Sequence, residues 1–313
     1  MNLTRGSRPL RALLRGVSQI FFVRNALAGG VILVALALSA WYIAALVALG
    51  VVVQTAGAVL VRRDTSEIDD GLMGYNGALV GGVLALDLGP TGAAVLLTVL
   101  GALVCIPIHE IVRRVFAAPG LRRFGLPVAT APFCIVASIL YGAIVPLIVA
   151  AGPTTAEDPL TATVSGFFQD FSEVVLADGP VPGLLILVAL LIGSWRIGLA
   201  GAMGSALAVV LGLAIREPAD DVSAGLVGYS AVLAAIGLGV VVRAESTALA
   251  RWIAGTVGVA LTILFHHLFA VWSVPAYTWP FLLALWLVLI LWHLLGQPRH
   301  GRTSWKEASA DSL

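Results

Sequence analysis

Long apolar runs separated by short polar breaks dominate the chain. They fall at residues 29–45, 46–62, 71–86, 91–112 and 127–151, and again at 183–195, 197–215, 225–241, 246–270 and 278–296. Apolar runs of about 20 residues are long enough to cross a bilayer as helices. A shorter amphipathic stretch precedes each set, at 12–24 and 163–177, too short and too polar to cross. Between the sets lies the polar segment 152–162, and a polar tail occupies 297–313. The pattern predicts an all-α polytopic membrane protein. Its two units, 1–151 and 163–296, each hold five transmembrane helices and one short re-entrant helix, joined by the linker 152–162.

The two units repeat each other in detail. Gly71-Leu72-Met73-Gly74-Tyr75-Asn76-Gly77-Ala78-Leu79 returns as Gly225-Leu226-Val227-Gly228-Tyr229-Ser230-Ala231-Val232-Leu233. Pro127-Val128-Ala129-Thr130-Ala131-Pro132-Phe133 returns as Pro275-Ala276-Tyr277-Thr278-Trp279-Pro280-Phe281, and Ser18-Gln19-Ile20 as Ser172-Glu173-Val174. The offsets are 173 − 19 = 154, 229 − 75 = 154 and 278 − 130 = 148. Three motifs in one order mark a duplicated unit. Five crossings is an odd number, so the second copy enters from the opposite face. The copies are then inverted repeats about an axis in the membrane plane.

Composition and charge agree with this reading. Hydrophobic residues make up 59% of the 313, charged residues 11%, and mean hydropathy is +1.01; soluble domains are about a quarter charged. With the N-terminus inside, the cytoplasmic side receives Arg5, Arg8, Arg11, Arg15, Arg62, Arg63, Arg113, Arg114, Arg122, Arg123, Arg196, Arg243, Arg299, Arg302 and Lys306, out of 18 basic residues. Arg216 falls on the far side, and Arg24 and Arg251 stand at membrane boundaries. This satisfies the positive-inside rule and places both termini in the cytoplasm. The expected setting is a lipid membrane, read here as a bacterial inner membrane. A net charge of +1 gives no reason to expect a nucleic-acid partner. Cys105 and Cys134 lie within apolar runs and read as core residues, with no cofactor or metal site expected.

The repeated motifs carry the chemistry. Two prolines flanking Thr130, and two flanking Thr278, break the helix, so that a helix starts inside the membrane. Its loose backbone groups are then satisfied within protein or water. Gln19 and Glu173 stand at equivalent places and share a side-chain acceptor oxygen, but only Glu173 titrates. A charge at the bilayer centre costs about 2.5–3.5 kcal/mol on insertion scales, so such groups face a cavity or a partner. Tyr75 and Leu79 lie four apart on one helical face, as do Tyr229 and Leu233. Such walls, edged by oxygens, suit a small, planar, neutral solute rich in N–H donors, and apolar walls exclude hydrated ions.

These motifs resemble those of the urea transporter family, over nearly the whole chain from Arg15 to Phe281. The resemblance implies a channel with two inverted five-helix halves around each pore, passing urea, and a homotrimer with one pore per subunit. It implies a polar ladder of Gln19, Thr130, Glu173 and Thr278, between slots lined by Ile20, Phe22, Tyr75, Leu79, Val174, Tyr229 and Leu233. Tyr75 and Tyr229 depart from it, standing where phenylalanine is frequent, so a hydroxyl enters or borders each slot.

Two other readings compete with the passive urea channel. One is a proton-coupled transporter with Glu173 as the titrating group; the other is a channel for a short amide or ammonia. A membrane enzyme is disfavoured, because the apolar segments hold no paired carboxylates and no nucleophile–base set. His266-His267 reads as packing or interface, and His109-Glu110 as chemistry at a cytoplasmic helix end.

Overall fold

A computed structural model describes residues 3–144, 159–272 and 274–295. The expectations for 145–151, for most of the linker and for the tail lie outside the described residues. Within them every regular element is helical. The first half runs α1 (Leu3–Ser18), α2 (Ala26–Ser39), α3 (Trp41–Leu60), α4 (Thr65–Asp69), α5 (Tyr75–Leu88), α6 (Gly92–Ala117) and α7 (Ala131–Ile144). The second runs α8 (Pro159–Glu173), α9 (Pro180–Gly193), α10 (Trp195–Ala214), α11 (Ala219–Ser223), α12 (Tyr229–Ile236), α13 (Ala248–Val271) and α14 (Trp279–Leu294). Helix α12 continues as a wider π turn over Gly237–Val241.

The halves match helix for helix. Helices α2 and α9 have 14 residues each, and α3 and α10 have 20 each. The backbone repeats its unusual points as well. Left-handed residues pair as Phe22 with Leu176, Arg62 with Arg216, and Gly71 with Gly225, all 154 apart, and as Ala129 with Tyr277, 148 apart.

Local chemistry explains the helix starts. The Asn25 side-chain oxygen accepts from the N–H groups of Leu27 and Ala28 and opens α2. Thr91 accepts from Ala94 to open α6, and Thr247 from Ala250 to open α13. Each satisfies N–H groups that have no partner within the helix.

Helix boundaries depart from the hydropathy reading. The break expected near residue 45 falls at Ala40, and that expected near 196 at Ser194; both residues are extended. No proline marks either break, and a glycine, Gly193, precedes only the second. What marks them is Trp41 and Trp195, exposed at the starts of α3 and α10, as aromatics are at membrane interfaces. Helix α8 begins at Pro159, inside the segment expected to be linker.

Among the described residues four helices, α3, α6, α10 and α13, are long and apolar enough to cross a membrane. A fifth crossing comes from residues Arg8–Phe21 and Ala26–Ser39 taken as one pair bent by 74°. The expected five crossings per half are therefore not all full-length helices. Helix α5 has 14 residues, about 21 Å at 1.5 Å per residue, against about 30 Å of hydrocarbon. Hydropathy overran it because the apolar run from residue 71 includes the turn that precedes the helix.

Glycines set the packing. A Cβ on Gly29 of α2 would lie 1.8 Å from the Leu14 carbonyl oxygen of α1, and one on Gly183 of α9 would lie 1.8 Å from that of Phe168 in α8. Helices α3 and α5 meet in the same way, with a Gly50 Cβ placed 1.9 Å from the Gly77 oxygen. Outward faces of the long helices carry exposed Leu60, Leu96, Leu100, Leu199, Val210 and Leu264. An apolar exterior over helices of this length defines a multi-pass membrane protein.

Candidate functional site

Both proline–threonine motifs converge at the centre. Helix α7 begins just after Thr130, and α14 just after Thr278. The two hydroxyls lie 2.6 Å apart in a hydrogen bond across 148 residues of sequence, both buried. The Cys134 thiol lies 3.0 Å from the same Thr278 oxygen. Elements from each half thus meet at equivalent residues.

The tyrosines fasten these segments. Tyr75 at the start of α5 donates its hydroxyl to the Ala129 carbonyl at 2.6 Å. Tyr229 at the start of α12 donates to the Tyr277 carbonyl. Each acceptor belongs to the left-handed residue preceding the threonine (φ 44° at Ala129, 42° at Tyr277). For non-glycine residues that conformation is strained and needs support from its surroundings. Asn76 adds to it in the first half, where its Oδ1 accepts the Phe133 N–H at 3.1 Å. The hydroxyls expected to enter or border the slots are therefore tied to backbone.

Two cavities adjoin the segments that meet here. The first, about 310 Å³, is lined by Gln19, Phe22, Leu72, Tyr75, Pro127 and Ala129, and reaches Glu67, His109 and Arg113. The second, about 240 Å³, is lined by Leu79, Glu173, Val174, Tyr229, Pro275 and Thr278, and reaches Asp87, Tyr141 and His266. The full linings correspond by the repeat offsets: Gln19 with Glu173, Phe22 with Leu176, Leu72 with Leu226, Tyr75 with Tyr229, Pro127 with Pro275, Val128 with Ala276, and Ala129 with Tyr277. The cavities are two versions of one design.

Each turn that carries an acceptor is built alike. After α1 the Ser18 hydroxyl donates to the Val23 carbonyl at 2.6 Å, and after α8 that of Ser172 donates to the Gly179 carbonyl at 2.8 Å. Gln19 donates its side-chain nitrogen to the Asp70 carbonyl at 2.9 Å. That bond fixes which end of the amide is which and leaves Oε1 as the acceptor. Asp70 itself is held by Arg24, at 2.9 Å. Glu173 lines the second cavity and has no salt-bridge partner among the described residues.

Of the residues expected to form the site, Gln19, Phe22 and Tyr75 line the first cavity. Leu79, Glu173, Val174, Tyr229 and Thr278 line the second. Leu79 therefore serves the cavity that holds the other half's carboxylate, because α5 crosses to it together with Val83, Asp87 and, from α7, Phe133. Thr130 sits buried in the central contact. Ile20 and Leu233 are buried in the core, at 1% and 0% exposure, and line neither cavity.

Sequence reasoning missed three groups. The buried Gln54 in α3 accepts the Gly77 N–H at 2.7 Å and ties α3 to α5. Asp170 in α8, 1% exposed, accepts from the Ser205 hydroxyl at 2.7 Å. Its half-one counterpart is Gly16, so no repeated motif could have drawn attention to it. His109 and His266 both line cavities, where packing or helix-end roles were expected.

Lipid-facing helices around two matched cavities, closed at a central hydroxyl pair, define a membrane transport protein for small solutes. The sequence profile of the urea transporter family matches residues 10–293, and the chain belongs to that family. It is similar to urea transporter 1 of Ovis aries, 32% identical over 299 residues, which cover 89% of this chain and 76% of the relative. The corresponding protein of Capra hircus is 32% identical over 302 residues, and that of Mus musculus 30% over 300, with the same coverage.

Proposed function

We propose that this urea transporter is a passive, bidirectional channel in which urea passes from one cavity to the other across the Thr130–Thr278 contact. The supporting observation is the placement of acceptor oxygens at equivalent points of two apolar cavities: Gln19 in one, Glu173 in the other, and the threonine pair between them. Urea carries four N–H bonds, and leaving them unpaired in an apolar passage costs free energy. A line of acceptors replaces water one step at a time. Between the acceptors the walls are aromatic and aliphatic, with Phe22 and Phe281 rings 5.9 Å apart and Phe133 and Tyr277 rings 5.6 Å apart. Ions, which hold their hydration shells strongly, are refused by such walls.

In this reading the halves, 1–151 and 163–296, are inverted repeats, and the cavities open to opposite sides of the membrane. The cavity reaching Arg113 faces the cytoplasm and the cavity reaching His266 faces outward. Both termini are cytoplasmic, the membrane is a bacterial inner membrane, and the assembly is a homotrimer with one pore per subunit, as the family resemblance implies. The protein does no covalent chemistry and uses no cofactor.

Passive transport rests on the equivalence of Gln19 and Glu173, since a group that cannot titrate does the same work as one that can. Purified protein in liposomes should therefore pass urea down its gradient at a rate unaffected by an imposed proton or sodium gradient. Glu173→Gln should retain downhill flux. Uphill accumulation driven by a proton gradient, lost in Glu173→Gln, would establish the coupled transporter instead.

A further inference from the structure

An acceptor ladder serves only half of an amide-like solute. Urea also has a carbonyl oxygen, which needs a donor where it leaves water. The slots as expected from sequence supply oxygens and hydrocarbon, and the tyrosine hydroxyls that stood nearby are consumed by Ala129 and Tyr277. The donor must come from elsewhere in the cavity walls.

Each cavity holds one histidine. His109 belongs to α6 and lines the first cavity; His266 belongs to α13, the counterpart of α6, and lines the second. In both rings Nδ1 is enclosed by protein and lacks a hydrogen-bond partner. An enclosed nitrogen without an acceptor is poorly placed to carry a proton, which leaves the neutral ring with its N–H on Nε2. Both side chains are half-buried, so the remaining N–H edge is the part of the ring that meets the cavity. The neighbouring His267 is different, because its Nδ1 lies 3.2 Å from Glu217 Oε1 and its side chain is exposed. Only one member of the His266-His267 pair faces the passage.

We infer that His109 and His266 are solute-binding residues, one in each cavity, whose Nε2–H groups take the carbonyl oxygen of the solute while Gln19 or Glu173 takes its N–H groups. The site selects a planar carbonyl compound carrying N–H donors. This rests on the urea reading of the passage and adds its missing donor.

Thiourea provides the test, because its sulfur is a weaker acceptor on the same planar frame. Urea and thiourea fluxes are measured in liposomes for the wild type and for His109→Phe, His266→Phe, His109→Gln and His266→Gln, each checked for thermal stability. Phenylalanine keeps a planar ring and removes the donor; glutamine restores one. Urea flux should fall by about threefold to tenfold in each phenylalanine variant, the scale of one lost hydrogen bond. The urea-to-thiourea ratio should fall with it and recover in the glutamine variants. Unchanged urea flux, or equal loss for both solutes with the ratio preserved, overturns the assignment. Absence of urea flux in the wild type would instead overturn the urea reading itself.

Discussion

At the scale of single residues, the centre of the molecule separates two kinds of hydroxyl. Thr130 and Thr278 bond to each other, and Thr278 also meets Cys134; on the proposed pathway these oxygens exchange a partner for the solute. The hydroxyls of Tyr75 and Tyr229 are spent on the carbonyls of left-handed residues. The two pairs should respond in opposite ways. Thr130→Val or Thr278→Val removes an oxygen at nearly constant volume and orphans its partner. Urea flux should drop severalfold in each, at a cost of about 0.5–1.5 kcal/mol per lost bond or more where a buried group is stranded. Tyr75→Phe or Tyr229→Phe removes only a fastening. Flux in liposomes should stay within about twofold of the wild type while thermal stability drops by about 1 kcal/mol. A large loss of flux in the tyrosine variants would make their hydroxyls solute ligands. The sequence exposed all four residues through their repetition, but not this division, because hydrogen bonds spanning 54 or 148 residues leave no local trace.

Among the elements, repetition was easier to read than length. The order of apolar runs anticipated ten apolar helices in two sets and the breaks before α7 and α14, since proline and glycine are local signals. The break at Ala40 was misplaced because no glycine or proline announces it, and that at Ser194 was set slightly late although Gly193 precedes it. The reduction of α5 to 14 residues was missed because hydropathy does not distinguish a buried turn from a buried helix. What fixes these short helices is close backbone contact, and here the repeat is exacting. Gly29 against Leu14 and Gly183 against Phe168 leave no room for a methyl group, each ideal Cβ falling 1.8 Å from a carbonyl oxygen. Gly29→Ala and Gly183→Ala must therefore push α1 from α2 and α8 from α9. Those contacts hold the turns bearing Gln19 and Glu173, so the acceptors shift with them. Each substitution should destabilise the protein by about 1–3 kcal/mol, the scale of overpacking, read as a lower melting temperature in detergent. By contrast Gly30, with open space around its Cβ position, should accept alanine without loss.

The whole molecule raises a question of orientation. Two halves with the same helix order, the same left-handed residues and the same cavity design surround one passage from opposite faces if they are the inverted repeats proposed above. The two turns are alike in charge: Arg62 and Arg63 adjoin Asp64, Glu67, Asp69 and Asp70 around α4, and Arg216 adjoins Glu217, Asp220 and Asp221 around α11, so labelling from one side has to separate them. Arg62 and Arg216 are both exposed and both left-handed, with φ of 56° and 65°, so a cysteine imposes the same backbone demand at either. The native Cys105 and Cys134 are buried and stay silent toward a polar thiol reagent. In intact cells a membrane-impermeant maleimide should label Arg216→Cys and leave Arg62→Cys untouched until the membrane is opened. Equal labelling of both from one side would place the two turns on the same face. The matched cavities would then open together, the threonine contact would no longer lie between two compartments, and a through-passage built from paired halves would have to be abandoned, even though every local match in sequence and backbone would stand.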